Sequence, residues 1–176
     1  MTRKYQAILI DPPWPFRTYT HKGVVPARGA QPYETMTMES MAALPVANLA
    51  AKDCAVFLWQ SDSLPGASVR LAEAWGFTVK TDNVFVWRKP SIGMGYWSRK
   101  ECETVALLTR GKPKRVGKGV RQVIDAPRRE HSRKPDEIYR RIEALVGGPY
   151  LEMFARQEWP GWKSWGNETG KFPVAR

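Results

Sequence analysis

A short apolar run near the start of the chain, residues 7–10, places the strongest constraint on the fold. Four consecutive apolar residues without alternation are typical of a strand that is buried on both faces, as in an α/β sheet covered by helices. The run leads directly into Asp11, Pro12, Pro13 and Trp14. Because open α/β sheets bind ligands beyond the carboxyl ends of their strands, the pattern predicts a functional site that includes Asp11.

The four residues 11–14 also have a chemistry of their own. Neither proline has a backbone N–H, so the segment cannot continue a strand ladder, and its carbonyl groups are predicted to be free acceptors. Asp11 adds a charged acceptor beside the Pro12 carbonyl, and Trp14 adds a flat ring. Two acceptors next to a stacking surface suit a planar ring with an exocyclic amino group, such as adenine. The alternative is a turn in which Asp11 only caps a helix and Trp14 belongs to the core.

Length and composition limit the class of protein. At 176 residues the chain has about the length of one domain, so we expect residues 1–176 to form a single domain. No apolar run reaches the length of a membrane span and no leader precedes the first strand, which predicts a cytoplasmic protein of the bacterial or phage type. Cys54, Cys102, His21 and His131 do not form a zinc-ligand pattern, and we predict no metal.

The formal net charge of +11 indicates a polyanionic partner. The surplus is concentrated between residues 110 and 141, where Gly and Pro spacers favour an exposed loop over a salt-bridged helix face. A merely soluble surface is the alternative, but we expect this segment to contact the phosphate backbone of DNA or RNA. The residues predicted to bind nucleic acid are Lys112, Lys114, Arg115 and Lys118 in a first cluster and Arg128, Arg129 and Arg133 in a second.

Strand-like and helix-like segments alternate along the chain, which predicts an α/β fold with a mostly parallel sheet. Further strands are predicted at residues 54–59, 77–80, 84–87, 104–108, 120–124 and 150–155. Helices are predicted at 36–50, with a cap at Thr37 and with Pro45 interrupting or restarting the helix, from a cap at Ser63 to a stop at Gly76, and at 135–146. Residues 16–31 and 89–99 are predicted to be loops. Glu152, inside an apolar strand, is expected to have a buried partner.

Several landmarks occur in the same order as in the DPPW adenine-N6 methyltransferases. This family includes the catalytic subunit of the eukaryotic messenger-RNA adenosine methyltransferase and small bacterial and phage DNA adenine methylases. The chain resembles it from about residue 7 to residue 168, and one landmark alone would be a weak signal. The landmarks are residues 11–14, 32–36, 57–59, 100–101, 134–139, 152–156 and 166–168.

The resemblance implies a Rossmann-like, S-adenosylmethionine-dependent methyltransferase fold in a permuted order, with the catalytic motif near the start and the cofactor strand near the end. Asp11 and the Pro12 carbonyl would hold the target amine, with Pro13 and Trp14 completing the motif. Ala155 departs from the pattern, because a glycine is common at that position. The resemblance assigns the cofactor to Asp11, Tyr33, Lys100, Glu152, Phe154, Arg156, Asn167 and Glu168.

The function expected from this resemblance is methyl transfer to the N6 amino group of adenine in DNA. RNA adenosine is an alternative substrate, because the same motif would serve it equally well. A catalytically silent subunit that only binds nucleic acid is another alternative, although such relatives usually lose the motif that this chain retains. A homodimer is one arrangement that would complete a nucleic-acid surface.

Overall fold

The computed structural model describes residues 4–15, 17–20, 23–26, 34–93, 97–130 and 132–172. The helices are α1 (Met38–Ala42), α2 (Val46–Leu49), α3 (Ala67–Trp75) and α4 (Glu137–Leu145). The strands are β1 (Tyr5–Ile10), β2 (Arg17–Thr20), β3 (Gly23–Pro26), β4 (Ala50–Trp59), β5 (Thr78–Gly93), β6 (Lys100–Arg110), β7 (Val123–Asp125), β8 (Tyr150–Met153) and β9 (Trp162–Trp165). None of the described helices has the length and apolar character needed to cross a membrane.

Seven of the described strands form one sheet in the order β7-β5-β6-β4-β1-β8-β9. Strand β6 runs antiparallel to its neighbours β4 and β5, and the other pairings in this sheet are parallel. The predicted α/β class with a mostly parallel sheet is confirmed. Strand β1 lies in the interior of the sheet, and it pairs with β4 on one side and with β8, from the far end of the chain, on the other. The carboxyl end of β1 therefore lies where the chain switches from one half of the sheet to the other, the usual place for a ligand site.

Alternate residues of β1 enter two separate hydrophobic cores. Ile8 and Ile10 pack on one face with residues of α1 and α3, and Ala7 and Leu9 pack on the opposite face with residues of α4. All four side chains are at most 1% exposed, as expected for a strand covered on both faces. By the same alternation Asp11, which follows Ile10, belongs to the face that α4 covers.

Several predicted boundaries are confirmed. Thr37 caps α1, because its hydroxyl accepts a hydrogen bond from the Ser40 backbone N–H. Pro45 separates α1 from α2, and Gly76 ends α3 with a φ of 72°. Residues 78–80 and 84–87, which lie in two predicted strands, belong to one strand, β5, whose pairing with β6 is interrupted by register shifts.

Other predicted boundaries are wrong. Helix α3 begins at Ala67 after Gly66, so Ser63 does not cap it, and the Ser63 hydroxyl instead bonds to Ser61. Strand β5 continues to Gly93, inside the predicted loop 89–99, because it pairs with β6 up to Lys100. Strands β2 and β3 pair within the predicted loop 16–31. Strand β9 was not predicted, and strand β7 is shorter than the predicted 120–124 segment and shifted toward its end.

Candidate active site

Asp11 stands at the carboxyl end of β1 and is held by a lysine from a distant part of the chain. Its Oδ2 atom lies 2.9 Å from Nζ of Lys134, and both side chains are 20% exposed. Lys134 lies in the segment that leads into α4, the helix that covers this face of the sheet. Asp11 is thus an ion-paired carboxylate at the carboxyl end of β1 rather than a helix cap.

The Asp11–Lys134 pair continues into a row of alternating charges across the sheet. Lys134 Nζ is also 3.5 Å from Oε2 of Glu103 on β6, and Oε1 of Glu103 is 2.6 Å from Nζ of Lys89 on β5. The Lys89 side chain is only 2% exposed and that of Glu103 is 23% exposed. We call these four residues, Lys89, Glu103, Lys134 and Asp11, the ionic row.

Two indole rings form the floor of the ionic row. The ammonium group of Lys134 lies 5.2 Å from the ring centroid of Trp59, and that of Lys89 lies 4.9 Å from the ring centroid of Trp87. Cation–π contacts of this kind partly replace the water that the lysines lose on burial. Burial of Glu103 opposes its ionisation, but Lys134 and Lys89 outweigh this and lower its pKa to about 2. The Glu103 carboxylate therefore stays charged at any ordinary pH.

The turn formed by residues 12–14 differs from the expectation in one respect. The Pro12 carbonyl accepts a 2.8 Å hydrogen bond from the Trp14 N–H, and the Pro13 carbonyl accepts a 2.9 Å bond from the Met36 N–H. The prediction that these carbonyls are free is therefore wrong, although each carbonyl oxygen has a second lone pair.

Trp14 is 9% exposed and packs in the core on the α3 side, and its Nε1–H donates to the Trp59 carbonyl at 3.1 Å. The indole thus anchors the turn beside Asp11. Contact of Trp14 with a substrate ring remains a prediction, and it would involve only the small exposed part of the indole.

Glu152, on β8 beside β1, has the buried partner that the sequence required. It is 8% exposed, and its Oε2 atom accepts a 2.8 Å hydrogen bond from the Tyr139 hydroxyl of α4. The Gln157 amide donates to the Tyr139 oxygen at 3.3 Å and to Asp136 Oδ1 at 2.9 Å. Burial raises the pKa of Glu152 to about 8. The Tyr139 hydrogen bond and the Lys134 charge oppose this rise, and the charges of Asp11 and Asp136 add to it.

The residues after β8 form a tight turn against the end of β9. Phe154 adopts a φ of 62°, a strained value for a residue with a side chain, and its ring meets Trp165 edge-on at 5.4 Å. A Cβ atom on Gly166 would lie 2.9 Å from the backbone N and O of Ala155. Close backbone approach here is thus provided by Gly166 rather than by a glycine at position 155.

The remaining residues assigned to the cofactor lie at the same edge of the sheet. Arg156 Nε is 3.2 Å from Glu168 Oε2, and Asn167 is exposed beside this pair. Lys100, at the start of β6, is ion-paired with Asp62 at 2.7 Å. Tyr33 lies outside the described residues. A role of these residues in binding a cofactor remains a prediction.

The two clusters of basic residues predicted to bind nucleic acid lie at opposite ends of the strands of the sheet, each of which we call an edge. The segment with the first cluster follows the end of β6, where Gly111 and Lys112 meet Asp53 near the start of β4, and Arg115 bridges to Val146 after α4. This is the edge opposite Asp11, separated from it by the height of the sheet, roughly 15 Å. The exposed residues of this first cluster are Lys112, Lys114, Arg115 and Lys118.

The second cluster lies at the same edge as Asp11. Arg128 is exposed, with its guanidinium group beside Gly93. Arg129 makes a two-pronged ion pair with Asp136 and also donates to the Lys134 carbonyl at 2.6 Å. Arg133 is buried, and its contacts include Glu130 and the ring of Phe172. Arg129 and Arg133 thus have internal contacts in the structure, and their role in nucleic-acid binding remains a prediction.

The sequence interpretation missed Lys89, Glu103, Lys134 and Tyr139 as members of the site. A signal was present for Lys89, because Phe85, Trp87 and Lys89 alternate along β5 and so share the buried face. Glu103 likewise alternates with Val105 on β6. The partners of these residues come from other strands or helices, so strand period alone could not identify them.

The chain is similar in sequence to known methyltransferases. The chain is 31% identical to the Type II methyltransferase M.MunI of a Mycoplasma species over 94% of this chain and 78% of that protein. It is 31% identical to the mouse N(6)-adenine-specific methyltransferase METTL4 over 97% of this chain. It is 29% identical to the Arabidopsis thaliana N(6)-adenosine-methyltransferase MT-A70-like over 93% of this chain.

The chain spans only 38% of the length of the mouse protein and 24% of the length of the Arabidopsis protein. The MT-A70 family profile matches residues 5–168, which include both the Asp11 turn and the Arg156–Glu168 pair. The chain belongs to the MT-A70 family.

Proposed function

We propose that this protein is an adenine-N6 methyltransferase that acts on DNA, with S-adenosylmethionine as methyl donor. The observation that carries the proposal is the partly exposed Asp11 carboxylate at the end of β1, which is ion-paired with Lys134 through Oδ2. The Asp11 side chain is 20% exposed, so the carboxylate can also accept a hydrogen bond from a ligand at this end of the strand. A carboxylate held in this way suits an amino group that must be oriented and made more nucleophilic.

The chemistry of adenine explains why an acceptor is needed. The lone pair of the exocyclic amine is delocalised into the ring, so the amine is a weak nucleophile. Hydrogen bonds from this amine to Asp11 and to the second lone pair of the Pro12 carbonyl would favour its rehybridisation and stabilise the positive charge that develops on nitrogen. A strong base is not required, because the proton becomes acidic as the new bond forms.

The described residues fit the proposed donor. S-adenosylmethionine supplies an electrophilic methyl group on a cationic sulfonium centre. The carboxyl groups of Asp11 and Glu152 suit a cation, and Arg156 with Asn167 suits ribose hydroxyl groups. Gln157 Oε1 is a buried acceptor without a hydrogen-bond partner among the described residues, and such an atom fits a site that receives a ligand with donors.

The proposal extends to the substrate polymer, the location and the assembly of the protein. The Type II methyltransferase of Mycoplasma, of which the chain covers 78%, supports DNA as the substrate, and the adenosine-methyltransferase of Arabidopsis keeps RNA as the alternative. A location in the cytoplasm follows for an enzyme that modifies bacterial or phage DNA. Assembly as a homodimer stays a prediction, which light scattering of the purified protein with and without DNA would check.

Incubation with labelled S-adenosylmethionine and separate samples of single-stranded DNA, duplex DNA and RNA tests the function. Digestion then identifies the methylated nucleoside. We expect N6-methyldeoxyadenosine, and we expect Asp11→Asn to abolish its formation while S-adenosylmethionine still binds through the other residues assigned to it. Glu73→Gln is the matched control, because it makes the same carboxylate-to-amide change at an exposed position of α3.

Each other outcome has a defined meaning. Near-normal turnover by Asp11→Asn would refute the role of Asp11. Label only in RNA would establish the alternative substrate. Bound donor with no label in any polymer would identify a silent, nucleic-acid-binding subunit.

A further inference from the structure

Glu152 is a buried carboxyl group that the proposed transfer step does not use. Its side chain lies on the face of β8 that α4 covers, where it contacts Tyr139, and it is in register with Leu9 of β1, two residues before Asp11. Burying a carboxylate without a cation is costly, so such a group is expected to be neutral or to acquire a cation. Among the described residues, no lysine or arginine forms an ion pair with Glu152.

The groups around Glu152 explain why it lacks a cation. Lys134, in the segment before α4, is already within ion-pair distance of Asp11 and Glu103. Asp136, from the same segment, is neutralised by Arg129. Helix α4 contributes the Tyr139 hydroxyl, the turn after β8 contributes the Gln157 amide, and the register partner on β9 is Ser164.

The ionic row and Glu152 together contain one carboxyl group more than they contain ammonium groups. The carboxyls are Asp11, Glu103 and Glu152, and the ammonium groups are Lys134 and Lys89. If every group were ionised, this buried cluster would carry a net negative charge. A proton on one carboxyl removes that charge, and Glu152 is the carboxyl that has no ion pair.

We infer that Glu152 is a proton-linked positioning residue of the donor site: it carries a proton until a cationic methyl donor binds beside β1 and β8, and it then releases that proton to solvent. The O–H bond of the carboxylic acid breaks, the proton goes to the buffer, and the carboxylate remains bonded to the Tyr139 hydroxyl. The bound cation takes over the charge balance that the proton provided. The inference rests on the proposed function for the identity of the donor.

Two properties of the surrounding groups support this assignment. The raised pKa of Glu152 keeps the carboxyl protonated near neutrality, so it has a proton to release. Tyr139 cannot be the source, because burial and the neighbouring Glu152 raise the pKa of its hydroxyl far above the neutral range. Its ring is also held by stacking on Trp159 at 4.6 Å, so the hydroxyl keeps its position in both states.

Calorimetric titration of S-adenosylmethionine into the protein tests the inference without measuring turnover. The titration is repeated in buffers with different ionisation enthalpies, between about pH 6 and pH 7, where the α-amino group of the donor stays protonated. We expect release of close to one proton per bound donor molecule. The Kd should therefore fall by up to about tenfold for each unit by which pH is raised. Binding that releases no proton, with a Kd independent of pH, would overturn the inference and leave the proposed function standing.

Variants separate proton linkage from a merely structural role. Glu152→Gln keeps the shape of the side chain and is expected to bind the donor without proton release and without pH dependence. Tyr139→Phe keeps the stack on Trp159 but removes the hydroxyl that stabilises the carboxylate, so its pH profile of Kd should shift to higher pH. Glu73→Gln, on the surface of α3, should behave as the wild type.

The variants also distinguish the two proposals from each other. If Glu152→Gln does not fold, the profile of Tyr139→Phe decides, because an unshifted profile contradicts the inference. If the wild type does not bind S-adenosylmethionine at any pH, both the inference and the proposed function fail. If it binds the donor and Glu152→Gln releases the same number of protons as the wild type, only the inference fails.

Discussion

Within the ionic row, loss of the Glu103 carboxylate is expected to lower the free energy of unfolding more than loss of the Lys89 ammonium group. Glu103→Gln removes the carboxylate that contacts both lysines and leaves Lys89, only 2% exposed, without its ion-pair partner. Breaking a buried pair in this way costs about 3–5 kcal/mol, and we expect roughly 2–4 kcal/mol here because Glu103 retains some exposure. Lys89→Met leaves Glu103 in contact with Lys134, so its expected cost is smaller, about 1–2 kcal/mol.

The double variant distinguishes a coupled pair from two independent losses. Lys89→Met combined with Glu103→Gln leaves no unpaired ammonium at position 89. We therefore expect the double variant to lose at least about 1 kcal/mol less free energy of unfolding than the sum of the two single losses. Urea unfolding followed by tryptophan fluorescence measures each free energy of unfolding. The corresponding loss of thermal stability for Glu103→Gln is about 4–16 °C for a chain of this size.

A matched control is present on the same strand. Arg88 and Asp125 also form a 2.6 Å ion pair, but their side chains are 61% and 62% exposed. Because water already stabilises both charges, Asp125→Asn should leave the free energy of unfolding unchanged within error. Additive effects at positions 89 and 103, or an equal loss for Asp125→Asn, would refute the view that burial determines the strength of the ionic row.

Further expected outcomes concern pH and salt. The lowered pKa of Glu103 means that the wild type loses stability as pH falls from about 4.5 toward 2, by roughly 1 kcal/mol per pH unit from this group, a slope that acid titration of Glu103→Gln should lack. The raised pKa of Glu152 has the opposite sign, so stability should fall as pH rises from about 4.5 to 8, and chemical denaturation at several pH values should show a flatter profile for Glu152→Gln. Neutralising Arg128 should reduce the slope of the logarithm of the DNA-binding constant against the logarithm of the salt concentration by about one. The same measurement on first-cluster variants shows which end of the sheet DNA contacts. A slope that neither the Arg128 variant nor the first-cluster variants change would contradict phosphate contacts at both ends. The first-cluster variants replace Lys112, Lys114, Arg115 and Lys118.

Elements that depend on local pattern could be predicted from the sequence. The apolar run of β1 and the amphipathic pattern of α4 each indicate a buried face. Thr37 and Gly76 are residue types that favour the start and the end of a helix. Strand β9 could not be predicted in this way, because its four residues form a strand only through pairing with β8. The extension of β5 to Gly93 likewise depends on the pairing partner Lys100.

The candidate site was predictable to the same extent. Asp11 was found because it follows a buried strand, and Glu152 was recognised as needing a partner because it interrupts an apolar one. The partners themselves, Lys134 for Asp11 and Tyr139 for Glu152, lie on the α4 side of the sheet. A charge pair between segments this far apart in sequence leaves no periodic signal, so its geometry required the folded structure.

The alternation of β1 connects the core to the chemistry. Ile8 and Ile10 face α3, so Leu9 and Asp11 must face α4, where Lys134 arrives. A shift of the strand by one residue would turn the carboxylate toward the apolar core that contains Trp14 and would leave Lys134 without its partner. The packing that fixes the register of β1 against β4 and β8 therefore also fixes which face of the sheet can hold the charged amine acceptor.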